Sequence, residues 1–327
     1  MTRRNPKNFA QKRLKRPARD AYSTRRVEFP SPHDADPDDR DLVVGTLYLP
    51  DRPKKPPLIV MAPGLGMWRT FGYPAYAERF AKAGYAVLLF DYRHHNESEG
   101  APRSLIDATK QQQDYEAAIK AVKRLHEVDG NRVVLWGFSL SGGHVLATAA
   151  DRYDVSAVIA TCPFTDGRSV IKSNIKRPKY LLGSIGRGIR DRLGSFVGFG
   201  RTVPIVGDPG SGAVVDTPGA RREFLDLVDR ESNWNNKTPA RLFLWIARYR
   251  PIIQASNIRA PTLLIGGTED EITPVDNVAA AANAIENSTF VRFPGTHFSI
   301  FAEDFEQTIG HQLTFLMDVF SDDRSTG

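Results

Sequence analysis

The sequence predicts a doubly wound, mostly parallel α/β sheet interrupted by a helical insertion, and three observations carry that expectation. Short apolar runs of strand length alternate with segments of helical spacing through the first 160 residues. The alternation then stops for almost a hundred residues and resumes abruptly at Pro261-Thr262-Leu263-Leu264-Ile265-Gly266-Gly267. In sheets of this class functional groups gather at the carboxyl ends of strands, and two glycine-rich breaks, at residues 63–66 and 137–142, fall at such ends.

Taken in order, residues 1–26 form a basic arm, with seven Arg and three Lys against Asp20 alone. This is a local charge of +9 in a chain whose total is +6, so the other 301 residues carry −3. The arm lacks aromatic interleaving, so a solvated, disordered segment is expected and a nucleic-acid partner is not. Residues 34–41 are an acidic loop, 42–49 a strand, 50–57 a turn rich in Pro and Lys, and 58–62 a buried strand that Pro63-Gly64-Leu65-Gly66 breaks. Helical spacing through Tyr76, Phe80 and Ala83 closes at Gly84 and hands over to a strand at 86–90. A polar loop at 91–100 precedes a helix expected over 106–127. Beyond the apolar run starting at Arg132, a strand is expected at 155–160, and then the regular rhythm ends. Residues 163–259 read as a lid inserted over the sheet's active edge, with helix-like pieces at 224–228 and 241–249 between Gly- and Pro-rich stretches. The first part of the insertion is basic, and Tyr180, Leu181, Leu182, Phe196, Val197 and Phe199 read there either as lining of an acyl pocket or as packing. The core resumes with a strand at 262–265, a helix at 275–285, a strand at 289–293 and a helix at 305–320. The division expected is therefore an arm (1–26), a core (27–162 and 260–327) and an insertion (163–259).

Composition bounds the function classes. Hydrophobic content of 41% and charge of 25% are ordinary for a soluble globular enzyme. No apolar run approaches the roughly 20 residues of a membrane helix, and no apolar segment follows Arg3-Arg4 to complete an export signal, so a cytoplasmic location is expected. One cysteine, Cys162, excludes an internal disulfide and reads as a buried thiol. Neither the paired His/Cys spacing of a metal site nor a phosphate-binding glycine fingerprint is present, so no metal and no cofactor are expected.

The chemistry centres on Gly137-Phe138-Ser139-Leu140-Ser141-Gly142-Gly143, where a strand pattern turns directly into a helix pattern around a serine. A nucleophile in such an elbow needs small neighbours two residues before and after it, and Gly137 and Ser141 fill those places for Ser139. Ser141 is the rival nucleophile, with Ser139 and Gly143 as its own small flanks. A serine hydroxyl needs a base, and the base needs a group to hold its tautomer. Among seven histidines, His297 lies in a loop just after the last strand; His94 and His95 also lie in a strand-end loop. For the acid, Thr268-Glu269-Asp270-Glu271 follows the strand at 262–265; Asp270 is preferred because Ile272-Thr273-Pro274 turns into the next helix, and Glu269 is second. The order Ser139, Asp270, His297 is serine, acid, histidine.

These motifs, with the loop at 91–100 and Pro294-Gly295-Thr296-His297-Phe298, make residues 42–320 resemble the α/β-hydrolases, closest in flavour to the serine-aminopeptidase-like and dienelactone-hydrolase-like branches. Pro63, His94 and Asn96 stand where similar sequences carry histidine, glycine and glycine. The resemblance implies that Ser139 attacks, His297 shuttles the proton and Asp270 orients it, while the backbone N–H groups of Leu65 and Leu140 form the oxyanion hole. It implies a serine hydrolase acting on an ester-like acyl bond of a small-molecule substrate. A peptidase, thioesterase or C–C bond hydrolase on the same triad, or a noncatalytic ligand-binding member of the fold, are the alternatives.

Overall fold

A computed structural model describes residues 21–32, 40–52 and 54–321. The expected arm therefore lies outside the described residues up to position 20, as does the acidic loop from 34 to 39. The arm ends earlier than expected: residues 22–26 belong to a strand, β1 (Tyr22–Pro32), which pairs antiparallel with β2 (Arg40–Pro50). Alternating burial at the end of β1, with Phe29 and Ser31 inward, accounts for this extension; the basic side chains of residues 25 and 26 point outward at the sheet's edge.

From β3 (Pro57–Ala62) the chain alternates as the pattern dictates: α1 (Tyr73–Ala83), β4 (Ala86–Phe90), α2 (Ala108–Val122), β5 (Asp129–Phe138), α3 (Leu140–Ala150) and β6 (Ala157–Thr161). The insertion follows with α4 (Arg168–Ser173), α5 (Pro178–Gly194), a two-residue strand β7 (Thr202–Val203), α6 (Ala220–Leu227) and its partner strand β8 (Thr238–Pro239). The core closes with β9 (Thr262–Gly267), α7 (Val275–Ala284), β10 (Ser288–Phe293) and α8 (Phe305–Ser321). Helix α2 is shorter than expected because the Asp107 side chain caps it, accepting from the Lys110 N–H at 3.1 Å, and β5 already begins at Asp129. The seventeen-residue α5 is unexpected; its four glycines mask a helical pattern that begins at Pro178.

The main sheet has eight strands in the order β1-β2-β4-β3-β5-β6-β9-β10. The two pairings that involve β2 are antiparallel, and the strands from β4 across to β10 are parallel. Neighbouring residues of each strand face opposite sides. Leu58, Val60, Leu88, Val133, Leu135 and Val158 pack against α2, α3 and α7, whereas Ile59, Met61, Val87, Val134, Trp136 and Ile159 pack against α1 and α8. Runs apolar on both faces are what a parallel sheet covered by helices requires. The chain leaves β3 for β4 on one side and returns to β5 on the other, so the carboxyl ends of β3 and β5 open a crevice at the switch point. Among the described residues no helix is long and apolar enough to cross a membrane.

One buried ion pair ties the antiparallel edge to the parallel core. The Arg93 guanidinium, fully buried, donates from Nε to Asp114 Oδ1 at 2.7 Å and from Nη2 to Ser31 Oγ at 2.7 Å, and also reaches the Pro32 carbonyl. Asp114 accepts in turn from Ser31 Oγ at 2.6 Å and from the Arg93 N–H at 2.9 Å. Removing one partner strands the other charge in a dry interior. Arg93→Met is expected to destabilise the protein by about 3–5 kcal/mol in urea unfolding. Double replacement with Asp114→Leu is expected to recover part of that loss.

Candidate active site

Ser139 occupies the turn between β5 and α3 with φ 57° and ψ −122°. Its N–H donates to the Thr161 carbonyl at 3.0 Å, and its carbonyl accepts from the N–H groups of Phe164 at 2.8 Å and Gly143 at 3.2 Å. The turn closes so tightly that a Cβ on Gly137 would meet the Ser141 carbonyl oxygen at 2.3 Å, so only glycine fits there. Gly142 and Gly143 are required for a different reason: the chain just beyond β6, at Pro163 and Phe164, crosses directly over them.

His297, in the loop after β10, stands between Ser139 and Asp270. Its Nε2 lies 2.9 Å from Ser139 Oγ, and its Nδ1 lies 2.7 Å from Asp270 Oδ2. All three side chains are largely buried, Ser139 at 8% exposure and His297 at 3%. Phe138 and Phe298 flank the imidazole, with ring centroids 4.7 and 4.9 Å away. Burial pushes the Asp270 carboxyl up, but the His297 charge and the hydrogen bonds from His297 and Thr273 outweigh it, and the group is held below the usual carboxylate range. An ionised carboxylate only accepts, so the Nδ1–H of His297 donates to Asp270, and this bond turns Nε2 toward the serine hydroxyl.

The alternatives read from sequence separate cleanly. Glu269 is exposed, whereas Asp270 turns inward and accepts from the N–H groups of Ile272 and Thr273, both at 2.8 Å. Ser141 is fully buried and held by two tyrosines: Tyr92 OH donates to its Oγ at 2.9 Å, and its own proton goes to Tyr115 OH at 2.7 Å, which itself donates to the Trp136 carbonyl. The elbow has serine where glycine is usual because this hydroxyl completes a buried tyrosine network. His94 and His95 are buried in the loop after β4, and burial pushes them down to about 3 and about 4. His94 and Asn96, which replace glycines of similar loops, adopt φ 72° and 46°, the region those glycines would favour.

Leu65 follows β3, and Leu140 opens α3. Among the described residues neither N–H is spent on a protein acceptor. The Leu65 loop is pinned at several points. Tyr73 OH accepts from the Gly64 N–H at 2.8 Å, and the Trp234 indole donates to the Gly66 carbonyl at 2.8 Å. Ile205 leaves no room for a side chain at Gly66, and Arg69 is paired with Asp91 and Glu97. Trp234 and Ile205 belong to the insertion, which also reaches the histidine loop: Thr296 Oγ1 donates to Glu223 at 2.8 Å, and Phe224 packs edge-on against Phe298.

Two contributors escape sequence reading. Thr273 Oγ1 lies 2.7 Å from Asp270 Oδ2 and 3.2 Å from His297 Nδ1; its position three residues after the acid is the one available signal. Trp234 is a lone aromatic in an irregular segment and carries no pattern. Cys162 brings its thiol within 4.8 Å of the Asp270 and His297 ligand atoms. Burial, with the nearby Asp270 charge, pushes that thiol well up, so it stands there as a neutral S–H. Leu182, Phe196, Val197 and Phe199, read as pocket lining or packing, are instead exposed.

Residues 59–309 match the model of the alpha/beta hydrolase family, and the chain belongs to that family. It is 40% identical over 272 residues to the quorum-quenching protein AidA of Acinetobacter baumannii, covering 83% of this chain and 89% of that protein. It is 29% identical over 268 residues to a polyketide transferase of Stachybotrys chlorohalonatus, covering 80% and 88%. The crystal structure of the alpha/beta hydrolase GrgF from Penicillium shares the fold, with a TM-score of 0.77 at 22% identity over 91% of this chain and 99% of that one.

Helix α3 also carries His144, fully buried, whose Nε2–H donates to Gln111 Oε1 at 2.9 Å and whose Nδ1 accepts from Tyr249 OH at 2.7 Å. Burial pushes this imidazole from 6.5 down to about 3. The folded chain therefore excludes a proton that the unfolded chain takes up below about pH 6.5. Stability contributed by the neutral ring is complete above that pH and falls as the pH drops toward 3. His144→Gln is expected to reduce the loss of unfolding free energy between pH 6 and pH 4.5 by about 1.4 kcal/mol per pH unit relative to the parent. Urea titrations of both proteins across that range give this difference, in which Asp91 and Asp114, whose burial acts with the opposite sign, cancel.

Proposed function

We propose that this alpha/beta hydrolase is a serine hydrolase that cleaves an ester-like acyl bond through an acyl-enzyme. The observation that carries the reading is the continuous hydrogen-bond chain from Ser139 Oγ through His297 to Asp270. Ser139 Oγ attacks the carbonyl carbon, and its proton passes to His297 Nε2, while Asp270 stabilises the imidazolium so formed. The developing oxyanion accepts from the Leu65 and Leu140 N–H groups, the latter at the positive end of α3. Collapse of the tetrahedral adduct expels the alkoxide, which takes the proton from His297. A water molecule, deprotonated by the same nitrogen, then attacks the acyl-enzyme and releases the acid and Ser139.

The insertion acts as a cap in this reading, and its contacts with the Gly66 and Thr296 loops support that role. A second reading has a specific basis. Relatives in part of the chain are named thiohydrolases, 37% identical over 122 residues in Aspergillus aculeatus, and the Stachybotrys relative is named a polyketide transferase. A thioester is accordingly the runner-up acyl donor, attacked by the same serine with a thiolate as leaving group.

Ser139→Ala is expected to abolish labelling by a fluorophosphonate probe and to lower kcat on a p-nitrophenyl ester by at least about 10³-fold; Asp270→Asn, which traps the wrong tautomer, is expected to cost about 10³–10⁴. Undiminished labelling of folded Ser139→Ala moves the nucleophile elsewhere. Parallel assays with acyl thioesters, following thiol release, rank the two donors.

The Trp234 indole holds the turn that carries the proposed Leu65 donor. Trp234→Phe is therefore expected to lower kcat about 10-fold at an unchanged KM. Affinity for a boronic acid that mimics the tetrahedral adduct should weaken by the same factor. Loss of KM alone would instead assign Trp234 to substrate binding.

A further inference from the structure

Helix α5 is built inside out. Its buried residues are Ser184, Gly188 and Asp191, and Gly188 lies so close to the turn at 240–244 that a Cβ would meet Leu244 at 3.0 Å. The large apolar side chains point the other way: Leu182, Ile185, Ile189 and Leu193 are 47–70% exposed. At 100° per residue these four fall on one stripe. The stripe is extended by Phe196, Val197 and Phe199 at the helix's far end, 68–77% exposed, and by Ile171 and Ile175 before it. Nine of the large apolar residues exposed in the described structure thus lie within one stretch of 29 residues, while much of the remaining surface follows the ordinary rule.

The exposed charges that residues 168–199 themselves place beside the stripe are of one sign. Lys179 and Arg190 flank it on one side and Arg192 on the other, and Arg168, Lys172 and Lys176 continue the exposed basic rim before the helix. Asp191, the only acid between residues 168 and 199, faces inward, where it accepts from the Arg241 and Arg201 backbone N–H groups at 2.9 and 2.8 Å and from Arg241 Nε at 2.8 Å. A second copy of the chain docked on this face would bring the basic flanks of two α5 helices together. An assembly of anionic lipid presents the complementary arrangement, negative headgroups above an apolar layer, and an apolar stripe between basic flanks is the pattern of a helix lying in such an interface.

We infer that the outward face of α5, with the Phe196–Phe199 tip, docks on an anionic lipid surface. Leu182, Ile185, Ile189 and Leu193 enter the acyl layer, and the flanking Lys and Arg side chains meet the headgroup phosphates. The inference is independent of the acyl-transfer reading, since it involves none of the residues around Ser139.

The test is flotation of the full-length protein with vesicles of phosphatidylcholine alone and of phosphatidylcholine with 30% phosphatidylglycerol. Binding is expected to be at least about 10-fold tighter to the anionic vesicles and to weaken in 0.5 M salt. Ile189→Glu/Leu193→Glu is expected to weaken it at least 10-fold, and Arg190→Glu/Arg192→Glu to remove the preference for anionic lipid. Both variants should retain the parent's circular dichroism and its turnover of a water-soluble ester. Binding that survives Ile189→Glu/Leu193→Glu within twofold assigns the lipid contact to the basic N-terminal segment and overturns the inference. Absence of vesicle binding, together with a dimer in light scattering that Leu193→Glu dissociates, overturns it in favour of a second copy.

Discussion

A serine at φ 57° and ψ −122° occupies backbone territory that costs a non-glycine residue about 1–3 kcal/mol, and such a residue stays there only when its surroundings over-determine it. At Ser139 the surroundings are specific. Both of its own backbone groups are bonded, to the end of β6 and to the chain just beyond, and Gly137 lets the α3 backbone close onto β5. The sheet supplies the force that holds the turn, because β5 lies between β3 and β6 and cannot shift without breaking both pairings. From that turn follow the direction of the hydroxyl toward His297 and the free N–H groups at the start of α3. The Leu65 loop approaches from β3, with Gly64 close enough that a Cβ would press on Ser139 Cβ at 3.1 Å.

Much of this is legible in the residues. Strands buried on both faces must be continuous apolar runs, so 58–62, 86–90 and 262–265 announce themselves, and the glycine-rich breaks mark their carboxyl ends. Ser139, Asp270 and His297 are legible because each sits in a loop directly after a strand, where the fold leaves functional groups facing the crevice. The turn at Ile272-Thr273-Pro274 already favours Asp270 over Glu269 in the sequence, and the fold separates the two by burial, with Asp270 inward and Glu269 exposed. Thr273 and Trp234 are illegible for a different reason: their contacts form only in three dimensions, with Thr273 meeting His297 across 24 positions of sequence and Trp234 meeting Gly66 across 168. Helix α5 is hidden by its own composition, since glycine weakens a helix and its polar face, not its apolar one, turns inward.

The two parts of the insertion differ in kind. The later part, through Ile205, Glu223, Phe224, Trp234 and Tyr249, is fastened to the loops around Ser139 and to α3 by buried rings and side-chain hydrogen bonds. The earlier part, α4 and α5, faces water with apolar side chains and touches the body through small and polar ones. The same inserted chain therefore shapes the crevice with one part and presents a surface with the other. His144 links the later part to the elbow helix, since its buried neutral ring is satisfied by Tyr249 from the insertion and Gln111 from α2.

The insertion leaves the sheet at the end of β6 and returns at the start of β9, and these two strands are immediate neighbours, with Val158 opposite Thr262 and Thr161 opposite Ile265. A segment that departs from one strand and re-enters through the next interrupts no ladder, whatever its length. Loop closure grows only slowly more costly with added residues, by about 0.6 kcal/mol per doubling. The architecture thus separates two tolerances: the strand ends that carry Ser139, Asp270 and the His297 loop are locked by the sheet, while the segment between β6 and β9 can be lengthened or pruned without breaking a ladder.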